Sequence, residues 1–235
     1  MLPKIKQQII DVIFEKSLPE INEHTMKLIV GLIAFLLAGL TNYFAEEPLQ
    51  SISESYHAGG WSRDIFVGFL FAISAFLLSY NGKPPLRNQE ILTPIDQLLL
   101  SQSFQKLLSK FAAFSAIGVA MFPCECGGHI EIIPNVHGLS AFFLFMILSI
   151  FCFVFYKRAI FKNHWQAKTR AYIYAICGVV IIACILIIGI HNFVSDKESI
   201  SNSRLTFWGE FFALCAFGTS WFIASQKIFL KSDHK

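Results

Sequence analysis

Asp64, His137, His191 and Glu210, together with Ser62 and Ser140, are the side chains of this 235-residue sequence whose types could do chemistry together. Carboxylates and neutral imidazoles are ligands of zinc and other first-row metals, and a catalytic site uses three protein ligands with one position left for water. Asp64, His137 and His191 supply such a set. Glu210 then serves as a fourth ligand or as the general base that takes a proton from the bound water, whose pKa the metal lowers toward neutrality. Ser140 follows His137 by three residues and so shares its helical face, where a hydroxyl can bond the ligand shell or an oxyanion. Each residue alone also has a plainer role: Asp64 beside Arg63 makes a salt bridge at headgroup depth, and the histidines are amphipathic residues at helix ends.

A second group lies in PCECGGH, where Cys124, Cys126 and His129 share one short loop. An oxidising compartment permits a disulfide there, while a metal through the two thiols and His129, or pairing with another chain, are alternatives. The other four cysteines, Cys152, Cys177, Cys184 and Cys215, fall inside apolar stretches and read as small apolar residues.

The elements that must position these groups are membrane helices. The sequence is 54% hydrophobic and 15% charged, with 25 phenylalanines, and a bilayer core about 30 Å thick needs about 20 apolar residues per helical span. Six windows meet that need, at 27–45, 61–80, 103–122, 137–156, 171–190 and 206–225; the third carries Lys106 and Lys110, which must snorkel to the headgroups. Lipid offers the backbone no hydrogen-bond partners and the alternation of barrel strands is absent, so the expected fold is an all-α, six-span transmembrane bundle. Residues 27–226 form this domain. Before it, 1–26 reads as a cytoplasmic segment with an amphipathic stripe over 2–18, lying on the membrane or solvated; after it, 227–235 is a short cytoplasmic tail.

Charge sets the orientation. Of 19 lysines and arginines only Arg63, Lys197 and Arg204 fall on the side opposite the termini, so the positive-inside rule puts both termini in the cytoplasm. The acids Glu46, Glu47, Glu54, Asp64, Glu125, Glu131, Asp196, Glu198 and Glu210 gather on the outer face, which would attract a cation. His57, His129, His137 and His191 lie at that same depth. An ionisable group within the hydrocarbon needs a partner or water, so Asp64 and Glu210 are expected to turn inward. On the second span Gly68, Ala72, Ala75 and Ser79 make a small-residue stripe along which another helix could approach. Gly59 and Gly60 break the chain just before that span, and NGKPPLRNQEILTPIDQ reads as an irregular cytoplasmic loop or interfacial turn.

Phosphate-binding loops, dinucleotide fingerprints and the H-E-x-x-H zinc motif are absent, and the basic residues are spread as orientation signals, which argues against nucleic acid as a partner. The segments SISESYH, RDIFVGFLFAISAFLLSYNG, AIGVAMFPC, HGLSAFFLF and WGEFFALCAFGTSW resemble a group of small bacterial polytopic membrane proteins over about residues 27–226. That group brings no activity to transfer. More distantly, a serine, an aspartate and several histidines at one end of a helical bundle are similar to the membrane hydrolases that include alkaline ceramidases and adiponectin-receptor-like proteins, with Ser62, Asp64, His137 and His191 as counterparts. That superfamily has seven spans and an H-x-x-x-H pair in its last helix, where this sequence has WGEFF, so the likeness supports a site and no more. The expectation is therefore an inner-membrane protein with an outward polar pocket, holding zinc and hydrolysing an amide or ester of a lipid-like substrate; the alternative is a non-enzymatic protein that binds membrane lipids, senses conditions or supports a complex.

Overall fold

The computed structural model describes residues 22–84, 93–126, 129, 132–162, 164–194 and 203–226. The amphipathic stripe over 2–18, the tail at 227–235 and the acids Glu131, Asp196 and Glu198 lie outside the described residues. Eight helices are present among them: α1 (Glu23–Tyr43), α2 (Ser55–Ala58), α3 (Gly60–Ser79), α4 (Pro94–Leu100), α5 (Gln102–Met121), α6 (Val136–Ile160), α7 (Trp165–Val194) and α8 (Leu205–Ala224). Five of them, α1, α3, α6, α7 and α8, are long and apolar enough to cross a membrane. The sixth expected span is a helix of 20 residues, α5, but Gln102, Gln105, Lys106, Ser109 and Lys110 dilute its first half. Lys106 is exposed and Lys110 Nζ donates to the carbonyl of Leu78.

The six long helices close into a ring. α1 packs on α3, α3 on α5, α5 on α6, α6 on α7, α7 on α8, and α8 returns to α1. Each runs opposite to its sequence neighbour: the starts of α1, α5 and α7 lie with the ends of α3, α6 and α8 around Tyr80, Lys83, Arg158 and Arg170. Inside the ring, Phe151 packs edge to face with Tyr80 and Trp221, and Phe155 with Trp221, while Tyr80–Trp221 and Phe155–Tyr174 are tilted, all at centroid separations of 5.6 to 6.1 Å. The outer surface carries Leu32, Leu36, Phe71, Phe111, Phe114, Ile176, Val179 and Leu186. An apolar exterior on a bundle whose core is already filled is the pattern of an α-helical membrane protein, with lipid as the solvent.

A close helix approach occurs at glycines outside the expected stripe. A Cβ on Gly31 would come within 2.9 Å of Gly218 O, and one on Gly218 within 2.9 Å of Gly31 O, so α1 and α8 touch backbone to backbone where neither has a side chain. Gly68, on the anticipated stripe, faces open space, and Ala75 and Ser79 are exposed. Two local features follow from residue chemistry. Gly59 (φ +72) and Gly60 (φ +51) make the break before α3 in a conformation that side chains disfavour. The expected irregular turn contains α4, which Thr93 caps by accepting from Asp96 N at 3.2 Å and which Pro94 opens at its first position.

Candidate functional site

Among the described residues, the end of the ring that carries His137 and Glu210 is crossed by residues 44–59, between α1 and α3. Arg204, at the start of α8, fastens it: Nε donates to Leu49 O at 2.9 Å, Nη2 to Asn42 Oδ1 at 2.7 Å, and the guanidinium lies 4.5 Å from the Phe207 ring. Phe207 N donates to Gln50 O at 2.9 Å. Glu210, between one and two turns into α8, then accepts from Ile52 N at 2.5 Å and lies 3.4 Å from Ser53 Oγ. Its carboxylate caps a loop whose N–H groups have no helix partner.

Ser53 connects that carboxylate to His137. The Ser53 hydroxyl is 2.9 Å from His137 Nε2, and His137 Nδ1 is 2.6 Å from Phe122 O at the end of α5. A carbonyl oxygen can only accept, so Nδ1 carries a proton, and in the neutral ring Nε2 is then the acceptor. The single Ser53 proton thus has two acceptors, and the shorter contact, to His137, takes it. Four elements meet in this chain of bonds: α5, α6, the 44–59 segment and α8. Ser53 and His137 are 6% and 5% exposed. A nucleophilic hydroxyl on an imidazole whose other nitrogen is held is the arrangement that activates serine, and the same bonds also tie the loop to the helices as a structural network.

The remaining anticipated groups go elsewhere. Asp64 is exposed on the first turn of α3 and pairs with its neighbour Arg63 at 3.5 Å; at that depth water meets its charge, so nothing draws it inward. His191, on the last turn of α7, is hydrogen-bonded through Nε2 to Ser203 Oγ at 2.8 Å. Ser62 donates to Thr41 O at 2.8 Å and joins α3 to α1. Ser140 packs against Gly118, where a Cβ would meet its Oγ at 2.4 Å, so it fills a helix contact between α5 and α6. The expected zinc set of Asp64, His137 and His191 therefore does not converge: among the described residues, three ligand side chains with donor atoms within 4.8 Å of one another are found in His57, Cys124 and Cys126.

That cluster could hold a metal ion. It sits on the rim of the same layer, four residues along from Ser53 and two from Phe122. His57 Nε2 is 2.9 Å from Cys124 O, and the His129 ring stacks on that of His57 with centroids 4.0 Å apart and planes 7° from parallel. Cys124 and Cys126 are joined by a disulfide. Linked sulfurs offer a cation little; the reduced pair would offer two thiolates beside an imidazole. The sequence marked Cys124, Cys126 and His129 as a candidate and left His57 apart, because the contact joins residues 67 positions distant. Ser53 carried no sequence signal, lying in a loop without periodicity. Set beside known proteins, the chain matches no family model, no curated protein and no solved structure.

Proposed function

We propose that this chain is a six-span protein of the bacterial inner membrane, both termini cytoplasmic, that takes up a metal ion at its extracytoplasmic face through Cys124, Cys126 and His57 in their reduced state. The observation that carries the reading is the mutual approach of those three ligand atoms within 4.8 Å. Zinc is the ion favoured, since two thiolates and an imidazole match its ligand preference, with His129 or water completing a tetrahedron. Uptake releases the two thiol protons. Exposed Glu46, Glu47, Asp64 and Glu125 ring the same end and attract a cation toward it. The partly buried network of Arg204, Glu210, Ser53 and His137 is the frame that holds the loop carrying His57.

The test is metal analysis of full-length protein reduced with a phosphine and loaded with zinc or cobalt. One equivalent is expected, with thiolate-to-cobalt charge-transfer bands, lost in Cys124→Ser or Cys126→Ser and weakened in His57→Ala. Sub-stoichiometric metal, or unchanged uptake in the cysteine variants, overturns the proposal. Orientation has its own check: after reduction, a membrane-impermeant maleimide should label Cys124 or Cys126 from outside intact cells.

The Ser53–His137 contact favours a second reading, hydrolysis of a lipid-like ester or amide. There His137 Nε2 takes the Ser53 proton as Oγ attacks the carbonyl carbon and returns it to the leaving group, and water then releases the acyl group from Ser53. The loop must lift to admit such a substrate. A fluorophosphonate probe that labels Ser53, and fails on His137→Ala, supports this reading; no labelling in lipid vesicles removes it.

A further inference from the structure

The opposite end of the ring holds a cavity of about 280 Å³ between the start of α1, the segment after α3, and α6, α7 and α8. Among the described residues five cations line it, Lys27, Lys83, Arg158, Lys162 and Arg170, against one acid, Glu23. Glu23 is already engaged, bonded to Lys27 and 3.7 Å from Lys83. Lys27 is 1% exposed and Arg170 4%. The Lys27 ammonium also lies over the rings of Tyr80 and Phe155, at 5.4 and 5.2 Å.

We infer that this cavity binds a phosphate-type oxyanion, presented by an anionic lipid headgroup or free in solution. Three observations carry it. Among the described residues one carboxylate stands against five basic side chains around one concave wall, and low-dielectric walls concentrate their field on the space between them. Arg158 is fixed at that wall, its Nη2 donating to Lys83 O, Pro84 O and Leu100 O at 3.0, 2.9 and 3.1 Å. Its Nε is buried with no hydrogen-bond partner among the described residues, so this cavity-lining guanidinium keeps an unused donor of the kind that suits phosphate oxygens. At the rim, burial first and then the neighbouring charges of Lys83, Arg170 and Arg158 hold the Lys162 ammonium below the usual lysine range. The cavity lies at the ends of membrane helices, at the depth of headgroups, where basic pockets between helices recognise anionic lipid.

The experiment uses full-length protein in neutral detergent, offered phosphatidylglycerol, phosphatidylcholine or inorganic phosphate, with bound lipid counted by native mass spectrometry and thermal shift read in parallel. Retention of phosphatidylglycerol over phosphatidylcholine is expected. Lys162→Gln and Lys83→Gln should each weaken it about fivefold, the change that about 1 kcal/mol per basic residue near the surface produces. Arg158→Gln should weaken it further, and because Arg158 also ties α6 to the loop, Lys162→Gln at the exposed rim is the deciding variant. A response to phosphatidylglycerol alone assigns the oxyanion to lipid; a response to inorganic phosphate assigns it to a soluble ligand. Equal retention of both lipids with no response to phosphate overturns the inference, as does Lys162→Gln and Lys83→Gln binding like the unaltered protein. Cys124→Ser should bind normally, which keeps this result separate from the metal site at the other end.

Discussion

Changing Glu210 to Ala removes the acceptor that holds Ile52 N at 2.5 Å and leaves Ser53 with His137 alone. Ile52 is 2% exposed, so bulk water does not replace the lost oxygen, and a buried donor left without a partner costs about 1–3 kcal/mol. Ser53 keeps its better acceptor and adds little. For a domain of this size each kcal/mol moves the melting temperature by about 2–4 °C, so a central loss of about 2 kcal/mol lowers it by about 4–8 °C. A water admitted to the vacated volume would bring the loss to the lower end of that range. Glu210→Gln keeps one carbonyl oxygen for Ile52 N and should fall by less. The assay is tryptophan fluorescence of full-length protein against temperature in neutral detergent, which reports on α8 through Trp208 and Trp221. The same variant should bind zinc more weakly in the reduced state, because the released loop carries His57, yet less weakly than His57→Ala. An alanine variant melting within about 1 °C of the unaltered protein, or a glutamine variant falling further than alanine, refutes the account of Glu210 as the anchor of this loop.

Two further expectations concern packing and charge. Gly31→Ala and Gly218→Ala each force a Cβ to 2.9 Å from the facing backbone and should destabilise by about 1–3 kcal/mol through overpacking, whereas Gly68→Ala, facing open space, should leave the melting temperature unchanged; the three variants are compared in one thermal series. The Lys157 ammonium, 2.9 Å from Asp96, holds that carboxyl below the usual carboxylate range. A carboxyl depressed on folding contributes stability above its unfolded pKa of about 3.9 and loses it as pH falls through the lower folded value. Asp96→Asn should therefore melt below the unaltered protein at neutral pH, and the two curves should converge as the solution is acidified below that value.

What could be read from the residues alone follows one dimension. A helix in lipid must be long, apolar and perpendicular enough to cross, so position along the chain translates into depth, and His137, Glu210, His57 and Cys124 were recognisable as one layer before any contact was known. Azimuth does not translate in the same way. His191 reaches the same depth but turns to Ser203, and Asp64 faces away from the bundle, because the order of helices around the ring decides which face meets which, and no periodicity within a single helix encodes that order. The small-residue stripe failed for this reason: among the described residues nothing comes within 4 Å of a Cβ placed on Gly68, while Gly31 and Gly218, 187 positions apart in sequence, form a backbone contact. The basic cavity was hidden differently. Lys83, Arg158, Lys162 and Arg170 enter a charge count as separate residues, but their gathering around one concavity with Lys27 depends on helix ends far apart in sequence meeting at one place. A charge count sees the sum of those residues, and only the packed ring turns that sum into a field with a site inside it.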